Sequence, residues 1–168
     1  LALHEGSHIK LTDFNTLKTL EDFIKKHDAE MIHLAEKHGA KESELDNYDR
    51  WWSTNYVAPK LKDLINIIED RRIDKWVYKN APGYRGYYEA LYDKYFNAKI
   101  IDKALKSDEH RTEDWDSYMF RICNITNPNR DLDALKGLRA IWKIMDLKNI
   151  SRLKNTNDAR DVAWRIFL

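Results

Sequence analysis

The sequence predicts an all-α protein, a single compact domain of about six or seven helices. Three observations predict this class. Only five of the 168 residues are glycine and three are proline, whereas a β-rich domain with many tight turns would use more of both. The 43% apolar and 34% charged residues are the balance of a globular chain rather than a disordered one. Apolar side chains also recur at intervals of three and four residues, the period of an amphipathic helix.

The first part of the sequence divides into an arm and a helix. Residues 1–14 are the least regular stretch and are predicted as an irregular N-terminal arm, so that residues 15–168 form the helical domain. Asn15 or Thr16 can cap the first helix, and Gly39 is suited to end it because glycine readily adopts left-handed backbone. The apolar face of this helix is formed by Leu17, Leu20, Ile24, Met31 and Leu34.

Two further helices are predicted before the middle of the chain. Ser43 with Asp46 opens a second helix. This helix ends before Pro59, because the residue preceding a proline disfavours helical backbone. Pro59 itself suits the first turn of a third helix. The stretch 80–83, with the sequence NAPG, is the strongest loop signal in the chain and ends the third helix.

Four more helices are predicted in the second half of the chain. They begin, in order, at about Tyr84, after Thr112, at Asp131 and after Thr156 or Asn157. The fourth helix continues to about Lys106, since its apolar period is not interrupted. Residues 127–129, with the sequence NPN, separate the fifth helix from the sixth.

Composition limits the partners and the compartment. The formal net charge is only +1, from 29 basic and 28 acidic residues, so an anionic partner must be bound by a local patch. Cys123 is the only cysteine, which excludes an internal disulfide and fits an intracellular compartment, the cytoplasm or the nucleus. No apolar run approaches the roughly 18 residues of a membrane span, so we expect no membrane partner. The sequence opens without methionine and stops at WRIFL, inside an amphipathic pattern, so we expect a piece of a longer protein.

The most distinctive stretch is residues 71–96, which holds six of the nine tyrosines. On a helix that starts near Tyr84, the residues Tyr84, Tyr88, Leu91 and Tyr95 share one face and Tyr87 flanks it. With Tyr92 and Phe96 to the side, aromatic rings cover more of the helix than one core stripe needs. Some of these rings are therefore predicted to be exposed or to lie at an interface.

Cations are interleaved with these rings, and two interpretations follow. Aromatic faces beside cations are what a single-stranded nucleic acid needs for stacking and for phosphate contacts. A tyrosine-rich core contact with basic side chains at its rim would have the same sequence. On the first interpretation, the predicted nucleic-acid-binding residues of this segment are Arg71, Arg72, Lys75, Lys79, Tyr84, Arg85 and Tyr87.

A second basic region follows the break at residues 127–129. A helix N-terminus presents free N–H groups to an anion, and asparagine and arginine side chains can bind base edges. Helix 112–125, a short turn and helix 131–146 would allow a helix-turn-helix. The alternative is a solvated basic face on an ordinary core helix. Secondary nucleic-acid contacts are predicted at Asn129, Arg130, Lys136 and Arg139.

One motif with possible metal chemistry lies at the N-terminus. The stretch His4-Glu5-Gly6-Ser7-His8 matches H-E-x-x-H, which in zinc proteases holds two imidazoles on one helix face with the glutamate as general base. Gly6 weakens a helix by about 1 kcal/mol, and no third ligand is indicated. We therefore expect no metal, and no motif indicates a cofactor.

The sequence thus predicts a nucleic-acid-binding helical module within a larger protein. The second hypothesis is a protein–protein interaction domain, in which exposed Tyr, Trp and Arg side chains form a hot spot. The third is a metal-dependent hydrolase acting through His4, Glu5 and His8. Whether the chain is an enzyme is left open by these hypotheses.

Overall fold

The computed structural model describes residues 2–39, 53–145 and 150–168 of the 168-residue chain. Most of these residues are helical, and no strand occurs among them. The predicted all-α class is therefore confirmed. In the described ranges, no helix is both long enough and apolar enough to cross a membrane.

Nine α-helices lie within the described ranges, more than the six or seven predicted. They are α1 (Ala2–Leu11), α2 (Phe14–Lys18), α3 (Leu20–Lys37), α4 (Ala58–Asn80), α5 (Arg85–Tyr95), α6 (Lys99–Lys106), α7 (Trp115–Cys123), α8 (Leu138–Met145) and α9 (Thr156–Phe167). A π-helical turn at Ser53–Val57 precedes α4, and a 3-10 turn at Pro82–Tyr84 precedes α5. The helix predicted to open at Ser43 falls largely outside the described residues.

The chain divides into two compact units, each built from two stretches of sequence. Unit 1 comprises Leu1–His4 and Arg71–Arg152, and unit 2 comprises Glu5–Asp70 and Leu153–Leu168. The division falls within α1 and within α4. It does not coincide with the predicted boundary at residue 14, and the single-domain organisation stays a prediction.

Unit 2 has a core formed by α3, the first half of α4, and α9. Its fully or almost fully buried side chains are Leu20, Ile24, Val57, Leu61, Leu64, Ile65, Ile68, Ala159, Ala163 and Trp164. Trp164 packs edge-on against Phe23 at 5.7 Å between ring centroids, and its indole N–H donates to Glu30. The buried Glu69 carboxylate accepts hydrogen bonds from the hydroxyls of Thr12 and Thr156, so this polar group is satisfied within the core.

The N-terminal residues are helical, so the prediction of an irregular arm is wrong. Helix α1 forms despite Gly6, and in unit 2 the His8 ring contacts Asp70 at 3.1 Å. These tertiary contacts outweigh the weak helix propensity of the segment, as they often do in proteins. Asp13 then caps α2 by accepting a hydrogen bond from the backbone N–H of Asn15.

Unit 1 contains an arginine that is bound by main-chain carbonyls. Arg121 of α7 is 3% exposed. Its Nε donates to the carbonyl oxygen of His110 at 2.6 Å, and its Nη2 donates to that of Glu109 at 3.1 Å. Its Nη1 lies 3.5 Å from the carbonyl oxygen of Leu105 in α6. One buried cation thus ties the end of α6 and the following loop to α7.

The predicted fourth helix, from Tyr84 to Lys106, is broken into α5 and α6. Ala98 has extended backbone, with ψ of 148°. The buried Asn127 side chain donates to the carbonyl oxygen of Phe96 and to the Asp102 carboxylate, both at 2.8 Å. The Phe96 carbonyl is therefore bound by a side chain distant in sequence, where a continuous helix would supply a backbone N–H. Two other predicted helix ends are confirmed: Gly39 follows α3 with φ of +93°, and Pro59 lies in the first turn of α4.

Candidate functional site

The candidate site lies in unit 1, where the end of α4 turns into α5. Asn80 closes α4 by donating from its side chain to the carbonyl oxygen of Trp76. Arg85, the first residue of α5, donates from Nε to the carbonyl oxygen of Tyr78 at 2.9 Å. Its guanidinium carbon lies 5.2 Å from the centre of the Tyr78 ring. These contacts hold the two helix ends together and place the residues between them at the surface.

Several aromatic rings of this region are exposed, as the sequence predicted. Tyr84 is 51% exposed, Tyr87 50% and Tyr95 57%, whereas Tyr88 is 4% exposed and buried. The Tyr87 ring meets the Tyr88 ring edge to face at 6.1 Å. This packing orients Tyr87 while half of its surface stays open to solvent, so the tyrosines serve both the core and the surface.

Exposed cations lie in the same segment as these rings. Lys75 and Lys79, four residues apart on α4, are both exposed, and this spacing places them on one face of the helix. Arg85 is exposed as well. We call the set Lys75, Lys79, Tyr84, Arg85 and Tyr87 the aromatic-basic surface; all five were predicted site residues.

The other two predicted cations of this segment are not surface groups. Arg71 is 7% and Arg72 6% exposed, because both continue the buried face of α4 that includes Ile68. Arg71 Nη2 donates to the carbonyl oxygen of Cys123 at 2.7 Å. Its guanidinium carbon lies 4.2 Å from the centre of the Phe96 ring. The prediction that Arg71 and Arg72 contact phosphates at the surface is therefore corrected.

The second predicted region does not form a helix-turn-helix, because residues 131–137 are turns and α8 begins only at Leu138. The backbone N–H groups that would open a helix at Asp131 are bound by side chains. Asp131 accepts from the N–H of Asp133 at 2.9 Å, and Glu113 accepts from that of Lys136 at 2.8 Å. This second hydrogen bond lowers the pKa of the Glu113 carboxyl. The bond to Glu113 takes an N–H that a helix beginning at Asp131 would bond to its own backbone, and it therefore competes with helix formation.

Most of the predicted contacts in this second region are engaged in local structure. The N–H of Asn129 donates to Asn127. The guanidinium carbon of Arg130 lies 4.1 Å from the centre of the Trp142 ring. Arg139 forms a two-pronged ion pair with Asp133. Both predicted arginines of this region thus have their guanidinium groups in local contacts, so this region is not part of the candidate site.

A cavity of about 520 Å³ opens beside the aromatic-basic surface. It is lined by Arg71, Asp74, Lys75, Tyr78, Tyr88, Glu89, Tyr92, Asp93, Asn97 and Thr126. Arg71 Nη1 and the Tyr88 hydroxyl oxygen are buried and have no hydrogen-bond partner among the described residues. Sequence reasoning did not find this cavity; its only local signal is the spacing of Tyr88 and Tyr92 one helical turn apart.

Two lining tyrosines have strongly perturbed hydroxyl groups. Burial raises the pKa of Tyr88 to about 12, and burial also raises the pKa of Tyr92. The Tyr92 hydroxyl donates to Asp74 Oδ2 at 2.8 Å. Both groups are therefore protonated near neutral pH, and Tyr88 has a hydrogen to donate.

Helix α1 contains the H-E-x-x-H motif, and each histidine contacts a different aspartate. In unit 1, His4 Nδ1 lies 2.8 Å from Asp74 Oδ1. In unit 2, His8 Nε2 lies 3.1 Å from Asp70 Oδ1, and its Nδ1 lies 3.0 Å from the Thr12 hydroxyl. Both nitrogens of His8 thus have a polar neighbour within hydrogen-bonding distance.

We expect the purified protein to carry no stoichiometric zinc, because a metal would have to displace one of the His8 hydrogen bonds. Elemental analysis of protein prepared without chelator measures this directly. One zinc per chain, lost in a His4→Ala variant, would contradict the expectation and favour the hydrolase hypothesis.

Comparison with known proteins gives no family assignment: no protein-family model, curated protein or solved structure matches the chain.

Proposed function

We propose that unit 1 binds single-stranded nucleic acid through the aromatic-basic surface. The observation that carries this proposal is the half exposure of Tyr84 and Tyr87 at the start of α5, in the same segment as Lys79 and Arg85. Open aromatic faces stack on successive bases irrespective of sequence, while nearby cations follow the phosphates. A location in the cytoplasm or nucleus, as the sequence predicts, fits such a role.

The stacking groups are held in place before a strand arrives. Tyr87 lies against the buried Tyr88 ring, and the hydrogen bond from Arg85 to the Tyr78 carbonyl fixes the turn that contains Tyr84. Side chains ordered in this way lose less entropy on binding.

A protein partner is the second candidate, and a specific observation favours it. Trp76 is 39% exposed and Ile100 75% exposed, and a tryptophan beside tyrosines and an arginine is the usual composition of an interaction hot spot. The two functions differ in salt dependence. Binding to a strand must weaken steeply as salt rises, whereas binding through apolar side chains tolerates salt.

The proposal is tested by titrating a fluorescent thymine oligonucleotide at several salt concentrations. We expect Lys79→Gln to reduce the magnitude of the slope of log K against log salt by about 0.7, the contribution of one phosphate contact on a single strand. Lys18→Gln is the matched control, because Lys18 is an exposed lysine of unit 2. An absence of binding at low salt, or equal slopes for the two variants, would contradict the proposal.

A further inference from the structure

Three lysines lie in a row on helix α6, which follows the tyrosine-rich helix α5 along the chain. Lys99, Lys103 and Lys106 are all exposed, and their spacing of four and then three residues places them on one face of the helix. The row extends over about 10 Å, because a helix rises about 1.5 Å per residue. We call these three residues the lysine row.

The other side of α6 is held by unit 1. Leu105 is 1% exposed, and the Asp102 carboxylate accepts a hydrogen bond from the buried Asn127 side chain at 2.8 Å. Arg121 Nη1 lies 3.5 Å from the carbonyl oxygen of Leu105. These contacts fix the inward face of the helix and leave the lysine row on its outward face.

The lysines of the row differ from several other cations of unit 1 in having no acid partner among the described residues. By contrast, Arg111 forms an ion pair with Asp131, and Arg139 forms one with Asp133. Asp102, the only acid of α6, is bound by Asn127 and not by a lysine. Like charges one helical turn apart destabilise a helix, so a bound anion would relieve the repulsion within the row.

The lysine row follows closely on the last exposed ring of α5. Tyr95 is 57% exposed, and Lys94 Nζ lies 5.2 Å from the centre of its ring. Lys99 comes four residues after Tyr95, so their Cα atoms are at most about 14 Å apart. An open aromatic ring and nearby cations thus recur at this end of α5, as they do at Tyr84 and Tyr87 at its beginning.

We propose that the lysine row binds phosphates of the single strand that stacks on the aromatic-basic surface. This statement rests on the proposed function and lengthens its site. Bases stack on Tyr84 and Tyr87, and the strand continues past Tyr95 to α6. Each lysine is a flexible point charge, so a row of them suits successive phosphates and contributes affinity without reading the base sequence.

An anionic membrane surface is the other polyanion that a row of lysines could meet. A helix that lies on a membrane needs an apolar face to bury among the lipids. Of the apolar side chains of α6, only Ile100 is exposed. The composition of the helix therefore favours the strand.

The proposal is tested with a short strand of about four thymines and a long strand of about sixteen, which span the usual site sizes. The triple variant Lys99→Gln, Lys103→Gln, Lys106→Gln should reduce the magnitude of the salt slope on the long strand by about 2, from three contacts of about 0.7 each. On the short strand, which the aromatic-basic surface holds, the slope should stay the same. The melting temperature should not fall, because glutamine and lysine have similar helix propensities.

The matched control removes the same charge from three exposed lysines of unit 2, as Lys18→Gln, Lys25→Gln, Lys62→Gln. It should leave the slopes on both strands unchanged. Equal slopes on the long strand for the two triple variants would overturn the proposal. If Tyr84→Ala still weakens binding in that case, the proposed function stands without the lysine row.

Other outcomes separate the two proposals further. A loss of slope in the lysine-row variant, with normal binding of the long strand by Tyr84→Ala and Tyr87→Ala, would support the row and contradict the proposed function. No binding of the long strand, with or without binding to vesicles of anionic phospholipid, would overturn the role of the row as well.

Discussion

Replacing Tyr84 or Tyr87 by alanine is expected to weaken binding of a single strand by about 1–3 kcal/mol, roughly 5-fold to 150-fold in affinity. The effect follows from the loss of an aromatic face on which a base stacks. Both rings are about half exposed, so each variant should remain folded. Tyr56→Ala is the matched control: its ring is 47% exposed, it lies in unit 2, and its loss should leave strand affinity unchanged.

The same variants distinguish a binding surface from a core contact. If the tyrosines belonged to the core, their replacement would lower the free energy of unfolding by about 3–5 kcal/mol, as for other buried aromatic rings. Fluorescence anisotropy with a labelled strand and thermal melting followed by circular dichroism should be measured on the same samples. Unfolded variants, or folded variants with unchanged affinity, would exclude the stacking role.

Replacing Arg121 by alanine should produce the largest loss of stability among the charged residues of unit 1. The side chain is 3% exposed and donates to the carbonyls of His110 and Glu109. Hydrogen bonds from a charged donor contribute about 1.5–3 kcal/mol each, and orphaned buried carbonyls add a desolvation cost. We therefore expect the free energy of unfolding to fall by about 3 kcal/mol or more, measured by urea denaturation.

Arg139→Ala is the matched control for this prediction. Arg139 has a two-pronged ion pair with Asp133, and their side chains are 64% and 71% exposed. Ion pairs this exposed contribute about 0–1 kcal/mol because water and salt screen them. Comparable losses for the two variants would mean that Arg121 contributes no more than a surface charge.

The sequence was a good guide to helices and a poor guide to where they end. Few turn residues and regular apolar spacing were enough to predict the all-α class. The predicted fourth helix was wrong at Phe96 because the Asn127 side chain, far along the chain, binds its carbonyl. The predicted sixth helix began too early because Glu113 binds the N–H of Lys136. No local pattern encodes such partners.

The second difficulty was to predict from the sequence which side chains of residues 71–96 are buried. The width of the aromatic face correctly predicted exposed tyrosines, since one core stripe could not cover them all. The charge pattern alone does not distinguish the buried Arg71 and Arg72 from the exposed Lys75 and Lys79. The partner of Arg71 is the carbonyl of Cys123, which only the tertiary structure identifies. The cavity was missed for the same reason, because its wall combines residues of α4 and α5 with Asn97 and Thr126.

The order of the two units along the chain has a consequence for biosynthesis. Unit 2 draws on Glu5–Asp70 and Leu153–Leu168, so Trp164 and Thr156 leave the ribosome long after their partners Glu30 and Glu69. Apart from its first residues, unit 1 is contiguous and can collapse as it emerges. Unit 2 has to close its core across the whole intervening sequence, which is a slow step. Until α9 is made, the apolar face of α3 is a natural target for chaperones.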